Sequence, residues 1–311
     1  MGVGEILDGA ISAMRGYPRI MLGLSAVVAA VCQVLTVPLT WLLLRDTGDA
    51  ALSIDKPASN DQQFAFAASA MSATGVQLVV TLIATLILTG ILTVVVSRAV
   101  LGRPITTREA WDQARPRLPA LLGVTLLVPA IVLGLGVVAL APGILLALAG
   151  APAAAVAVAL VIGIPLFLVA AAYLYTSFAL APPAIVLEKQ RVVASLRRSR
   201  ALVRGAWWRT FGILLLVNII AGVLANILGV PFQLLAYGVS YVTGHGLDIY
   251  ALPPLVVTAV GTVVASAVTW PFTAVATALL YVDRRMRREA LDLELARAAG
   301  YPTADAPLSR P

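Results

Sequence analysis

The 311-residue chain is poor in the residues that most enzyme chemistry needs. It has one cysteine, Cys32, and one histidine, His245. A single cysteine excludes a disulfide within the chain and any cysteine-based metal site. Lysine occurs only at Lys56 and Lys189, against twenty arginines. Charged residues make up 12% and aromatics 6%, whereas soluble domains carry about 25% charged residues. The sequence contains no zinc-binding helix motif, phosphate loop, nucleophile elbow or dinucleotide fingerprint. No catalytic residue, metal or cofactor is therefore expected. His245 reads as a loop residue, and Glu188 as a carboxylate paired with Arg191 or another neighbour.

What the chain has in abundance is apolar surface. Hydrophobic residues reach 60% and the mean hydropathy is +0.95. Six apolar runs are each long enough to cross a bilayer: Pro18–Leu44, Gly75–Val96, Leu118–Leu140, Ala153–Leu180, Phe211–Val230 and Leu255–Val282. Glu5 and Asp8 stand where a cleavable leader would be basic, so the first run is expected to remain as a span. Prolines 38, 129 and 165 are expected to bend their spans, and Trp270-Pro271 to kink the last. Between spans, Arg45–Ala73 reads as an acidic loop with a partial helix around Phe64–Met71. Ala141-Pro142-Gly143 reads as the start of a tight connection, and Pro231–Pro254 as an outer loop. Asp283–Ala299 reads as a charged helix and 300–311 as a disordered tail, leaving one membrane domain over 1–299.

Short amphipathic segments precede every odd-numbered span. In Val192–Gly212 a helical wheel gathers Val192, Leu196, Ser199, Leu202 and Val203 on one side, with Arg197, Arg198, Arg200 and Arg204 opposite. Such a helix is suited to the membrane interface, and Trp207 and Trp208 follow at the depth that indole rings favour. Gly4–Arg15 carries Ile6, Leu7, Ala10, Ile11 and Met14 on one face. Before the third span, Thr106 and Glu109 form a capping-box pair, with Ala110, Trp111 and Ala114 facing one way. Arg15, Arg115 and Arg204 each precede, by eight positions, a glycine at a span entrance: Gly23, Gly123 and Gly212. This spacing suggests three repeats of an interfacial helix plus two spans, set against coincidence in a chain rich in both residue types.

Six spans place both termini on one side. That side carries twenty basic residues, and the other only Arg45 and Lys56. The positive-inside rule then makes the termini cytoplasmic. The net charge of +7 becomes a collar facing anionic headgroups rather than a nucleic-acid surface. Arg15, Arg115, Arg197, Arg198, Arg200 and Arg204 are the candidate headgroup contacts.

Hydroxyls and amides supply the polarity within the spans. The second span has Gln77, Thr81, Thr85, Thr89, Thr93 and Ser97 at every fourth position. The sixth has Thr258, Thr262, Ser266, Thr269, Thr273 and Thr277, and the fifth has Asn218 and Asn226. Such residues pack helices closely by bonding back to their own backbone, or else line a polar pathway. No acid or base falls mid-span, which disfavours an ion-coupled transporter.

Three sets of motifs carry a family resemblance. They are Gly4-Glu5-Ile6-Leu7-Asp8-Gly9-Ala10; Leu187-Glu188 with Arg198-Ser199 and Leu202-Val203-Arg204-Gly205; and Leu280-Tyr281-Val282-Asp283 with Arg287-Arg288-Glu289 and Leu291-Asp292-Leu293-Glu294-Leu295. Together they resemble the bacterial membrane-domain family named after glycerophosphoryl diester phosphodiesterases, especially its stand-alone actinobacterial members. Arg284 and Ala290 depart from the expected leucine and glycine. The resemblance implies a bacterial plasma-membrane protein carrying the membrane part without the phosphodiesterase domain. The expectation is an all-α, six-span, non-enzymatic protein that organises anionic lipids or partner proteins, with a transporter or lipid carrier using the threonine rows as the alternative.

Overall fold

The computed structural model describes residues 2–52, 60–100 and 107–289, apart from His245, Leu247 and Ile249. It is all α-helical; no strand occurs among the described residues. Helices run α1 Val3–Gly16, α2 Pro18–Leu52, α3 Asn60–Val100, α4 Thr107–Ala114, α5 Leu118–Leu148, α6 Ala153–Phe178, α7 Ala181–Glu188, α8 Val192–Val203, α9 Trp207–Val242 and α10 Leu252–Glu289. A 3-10 turn, Arg115–Arg117, joins α4 to α5. The order is short helix, long helix, long helix, three times over, with α7 added before the third round.

Among the described residues, six segments are long and apolar enough to cross a bilayer: Pro18–Arg45, Ala65–Val96, Arg108–Leu148, Ala153–Glu188, Trp207–Val242 and Leu252–Arg288. In hydrocarbon every backbone N–H needs an internal acceptor, so long apolar runs become helices whatever their β-propensity. The chain is an all-α membrane protein.

Several helices outrun the boundaries that the sequence suggests. The segment Arg45–Ala73 is not a loop through most of its length, because α2 continues to Leu52 and α3 begins at Asn60. The run around Phe64–Met71 is part of α3, and its four alanines favour helix. At Ala141-Pro142-Gly143 no connection opens. Helix α5 passes through Pro142 to Leu148 and turns at Ala149–Pro152, where Gly150 takes φ 69°. Likewise α9 passes through Pro231 to Val242. A proline removes one helical hydrogen bond, whereas breaking the helix would strand several polar backbone groups. The Thr106 cap, His245, residues 290–299 and the tail 300–311 lie outside the described residues.

The long helices pair as hairpins: α2 with α3, α5 with α6, and α9 with α10. Helix α10 is the hub, since it also packs on α1, α2 and α3. The short helices rest on this frame. Ile6 and Ala10 of α1 are fully buried, and Gly9 faces Leu279 of α10. Ala110 and Ala114 of α4 are equally buried, and Ala114 lies beside Gly90 of α3. Ile11 and Trp111, grouped with those faces by the helical wheel, stay exposed.

The core is concentrated at one end of the bundle. It gathers the last turns of α3 and α10, the first turns of α5 and α9, and nearly all of α7. The outer lengths of α5 and α6 instead present Leu133, Val137, Val161 and Val169 outward. Each of these two helices makes its most extensive contact with the other. A Cβ on Gly163 would stand 2.5 Å from the Ala139 carbonyl oxygen, a backbone atom that cannot swing aside. Gly163→Ala is expected to cost about 1–3 kcal/mol by overpacking. Gly134→Ala, with nothing within 4 Å, should leave stability equal or slightly higher. Melting temperatures of the two variants in one detergent check this.

Candidate functional site

The polar residues of the basic end fall into three groups, and the first is a buried ionic knot. Helix α7 is wholly apolar until Glu188. It ends there because Lys189 takes the left-handed conformation, at φ 58°. That turn sends the chain outward and leaves the Glu188 carboxylate, 11% exposed, inside the bundle. Arg198 of α8 grips it with two donors, Nε at 2.9 Å from Oε2 and Nη2 at 2.9 Å from Oε1. The hydroxyl of Tyr281, a fully buried residue of α10, donates to Oε1. Arg285 adds a longer ion pair at 3.6 Å. Thus Glu188 pairs with Arg198 and Arg285, while Arg191 is exposed.

Beside the knot, Ser199 pins α8 to the end of α6. Its hydroxyl donates to the Ser177 carbonyl at 2.7 Å and accepts from the Leu180 N–H at 3.2 Å. Arg288 of α10 donates to the carbonyls of Ala201 and Arg204, closing the C-terminal turn of α8. Gly205, at φ 85°, lets the chain leave α8 there and enter α9. The motifs Leu187-Glu188, Arg198-Ser199, Arg204-Gly205, Tyr281 and Arg287-Arg288 are scattered in sequence and assembled here.

The second group is a cluster of arginines at the mouth of the knot. Arg197, Arg200 and Arg204 are exposed on α8, opposite the buried Ser195, Leu196, Ser199, Leu202 and Val203. Together with Arg288, Trp207 and Tyr173 they line a pocket of about 770 Å³. Trp207 stacks on Tyr173 at 5.9 Å and on Phe211 at 5.1 Å, while Trp208 is 77% exposed. Arg198 is held by Glu188 and does not line the pocket. Arg15 and Arg115 are exposed on other short segments and stand apart from this cluster.

The third group lies deeper. A cavity of about 450 Å³ runs between α3, α5, α6, α9 and α10. Thr85, Thr89, Thr273 and Asn218 all line it, so the threonine rows of α3 and α10 do meet. The hydroxyls of Thr85 and Thr273 turn back to the helices that bear them, while Asn218 bonds both to its own helix and, at 3.4 Å, to the Tyr175 hydroxyl of α6. Thr85 donates to Thr81 O at 2.9 Å, Thr273 to Trp270 O at 3.0 Å, and Asn218 Nδ2 to Leu214 O at 2.7 Å. The hydroxyl oxygens remain as acceptors. Thr81, Thr93, Thr262, Thr269 and Asn226 do not line the cavity. Thr93 and Thr269 are buried and bonded to Thr89 O and Ala265 O. Thr262 and Asn226 are exposed and bonded to Thr258 O and Gly222 O.

A family model described as a domain of unknown function (DUF7847) matches residues 1–284. The chain belongs to the DUF7847 family. The match takes in all three rounds of helices and the whole Glu188 knot except Arg285. No curated protein and no solved structure matches the chain.

Sequence reasoning underrated Glu188 and passed over Tyr281, Arg285 and Arg288 as site residues. The available signal was their place in the quoted motifs, with an acid, a tyrosine and arginines at the ends of apolar runs. Removing one partner of a buried ion pair leaves the other charge uncompensated. Glu188→Ala is expected to destabilise the protein by about 3 kcal/mol, and Tyr281→Phe by about 1 kcal/mol. Chemical or thermal denaturation in detergent would rank them in that order. Equal, small effects would show that the knot contributes little.

Proposed function

We propose that this DUF7847 protein is a non-enzymatic module of the bacterial plasma membrane. It organises anionic lipids, and through them partner proteins, by means of its arginine-bearing short helices. The observation that carries this reading is the two-sidedness of α8. One face is buried on the bundle, while Arg197, Arg200 and Arg204 stay exposed. None of these three has an ion-pair or hydrogen-bond partner from its guanidinium among the described residues. The exposed Trp208, at the start of α9, sets the same level as the interface. Arg15 and Arg115 occupy the matching places before α2 and α5. Each such charge contributes ~1 kcal/mol near an anionic leaflet.

In this reading both termini are cytoplasmic, and the three rounds of helices descend from one repeated unit. The kinship with the phosphodiesterase membrane-domain family belongs to the same proposal. It is supported by the convergence of the shared motifs on one knot. With Arg198 engaged by Glu188, the headgroup contacts narrow to Arg15, Arg115, Arg197, Arg200 and Arg204. Replacing these five with Gln is expected to abolish the enrichment of phosphatidylglycerol over phosphatidylcholine in lipid that co-purifies from mixed vesicles. Undiminished enrichment would sink the proposal.

A lipid carrier is the second reading, favoured by one observation: Thr85, Thr89, Thr273 and Asn218 share a cavity large enough for part of an acyl chain or a small amphiphile. Leucine at both Thr85 and Thr273 would fill it. If the cavity transports, the double variant should lose lipid exchange between vesicles while remaining folded. Exchange at the wild-type rate would leave the threonines a packing role only.

A further inference from the structure

The arginines at the basic end divide into two populations. Arg198 and Arg285 share the single Glu188 carboxylate, and Arg287 pairs with Asp283 at 3.0 Å. None of these three lines the pocket between α6, α8, α9 and α10. Arg197, Arg200 and Arg204 do line it, without a carboxylate among the lining residues. Glu188 and Asp283 are thus committed to other arginines, and among the described residues the pocket lining carries positive charge alone.

One feature opposes anion binding here. The pocket abuts the C-terminal turn of α8, whose free carbonyls carry partial negative charge. Arg288 cancels that. It donates to the Ala201 and Arg204 carbonyls and brings a fourth positive charge to the wall. Behind it Arg284 is buried, with its Nη2 3.4 Å from the Ala206 carbonyl, and it adds to the local field. The opposite wall is the stacked pair of Trp207 and Tyr173, flat apolar surfaces suited to the glycerol or acyl portion of an amphiphile.

We infer that this pocket is a discrete binding site for a phosphoryl anion, with Arg197, Arg200 and Arg204 as its ligands and Arg288 as the group that positions them. Guanidinium groups are planar forks that bind two phosphate oxygens at once, and several of them around one site favour a phosphomonoester dianion over a zwitterionic headgroup. The 770 Å³ volume exceeds that of a bare phosphate and admits the glycerol attached to it. The inference deepens the lipid-organising proposal and rests on it for the depth of the site in the membrane. It replaces a diffuse charged collar with one stoichiometric position.

The test uses the full-length protein in mild detergent, examined by native mass spectrometry during titration with phosphatidic acid or phosphatidylcholine. A parallel calorimetric titration uses glycerol 3-phosphate and inorganic phosphate. The pocket variant carries Arg197→Gln, Arg200→Gln and Arg204→Gln. The control carries Arg19→Gln, Arg108→Gln and Arg117→Gln, the same loss of charge at residues outside the proposed contacts. Arg200→Gln alone serves as a milder pocket variant, and melting temperatures check folding.

Phosphatidic acid is expected to saturate a single site. Affinity should fall roughly a hundredfold in the pocket variant, given the strength of charge-assisted hydrogen bonds, and stay within about threefold of wild type in the control. If the soluble phosphates bind with the same dependence on the variants, the site takes a free phosphorylated metabolite, and the phosphoryl assignment stands. Equal weakening in the pocket variant and the control would overturn the discrete site while leaving the lipid-organising proposal intact. Absence of any preference for anionic lipid, together with no phosphate binding, would overturn both.

Discussion

The structure depends on one carboxylate. Glu188 accepts hydrogen bonds from Arg198 on α8 and Tyr281 on α10 and stands within ion-pair distance of Arg285. Removing a carboxylate from water costs several kcal/mol unless its oxygens are fully partnered, so Glu188 requires α8 and α10 to be where they are. Lipid tails are as apolar as leucine, so burial of side chains alone does not hold membrane helices together. Directional contacts must do so. Here they are this ionic knot, the Ser199 hydroxyl that joins α8 to α6, and the Arg288 cap on α8.

The knot also governs the surface. By engaging Arg198 and Arg285, Glu188 fixes which arginines of the basic end are spent inside and which face outward. Arg197 and Arg200 stay exposed on α8 and Arg204 at its C-cap, while Leu196, Ser199 and Val203 are buried. The arrangement that stabilises the fold therefore also leaves Arg197, Arg200 and Arg204 clustered around one pocket beside Trp207. Stability and the proposed recognition share a frame without sharing the same side chains.

Away from this end the molecule is built differently. The α5–α6 hairpin is held by close backbone approach at glycines such as Gly163, and its outer surface is lipid-compatible aliphatic side chains. Threonines along α3 and α10 donate to their own backbones. They spend little polarity on neighbouring helices, and a cavity persists between the two rows. Leu88, Leu121, Val124 and Leu214 of the buried core also line that cavity, so it opens within the core rather than apart from it.

How much of this was legible in the residues depends on range. Apolar runs specify membrane helices because the bilayer leaves the backbone no other way to satisfy its hydrogen bonds. The six spans, the short helices before α2, α5 and α9, and the inward and outward faces of α8 all follow from that and from the 3.6-residue period. Helix ends were harder, because Pro142 and Pro231 read as breaks while the surrounding helix absorbs them. The meeting of Glu188 with Tyr281, 93 residues apart, leaves no trace in local pattern. Nor does the sorting of Arg198 from Arg197 and Arg200, since all three are neighbours with the same chemistry. Local pattern thus specifies an α-helical membrane protein rich in arginine between its spans. Which charges cancel and which remain is set by packing, because pairing depends on the distance between helices and not on position along one.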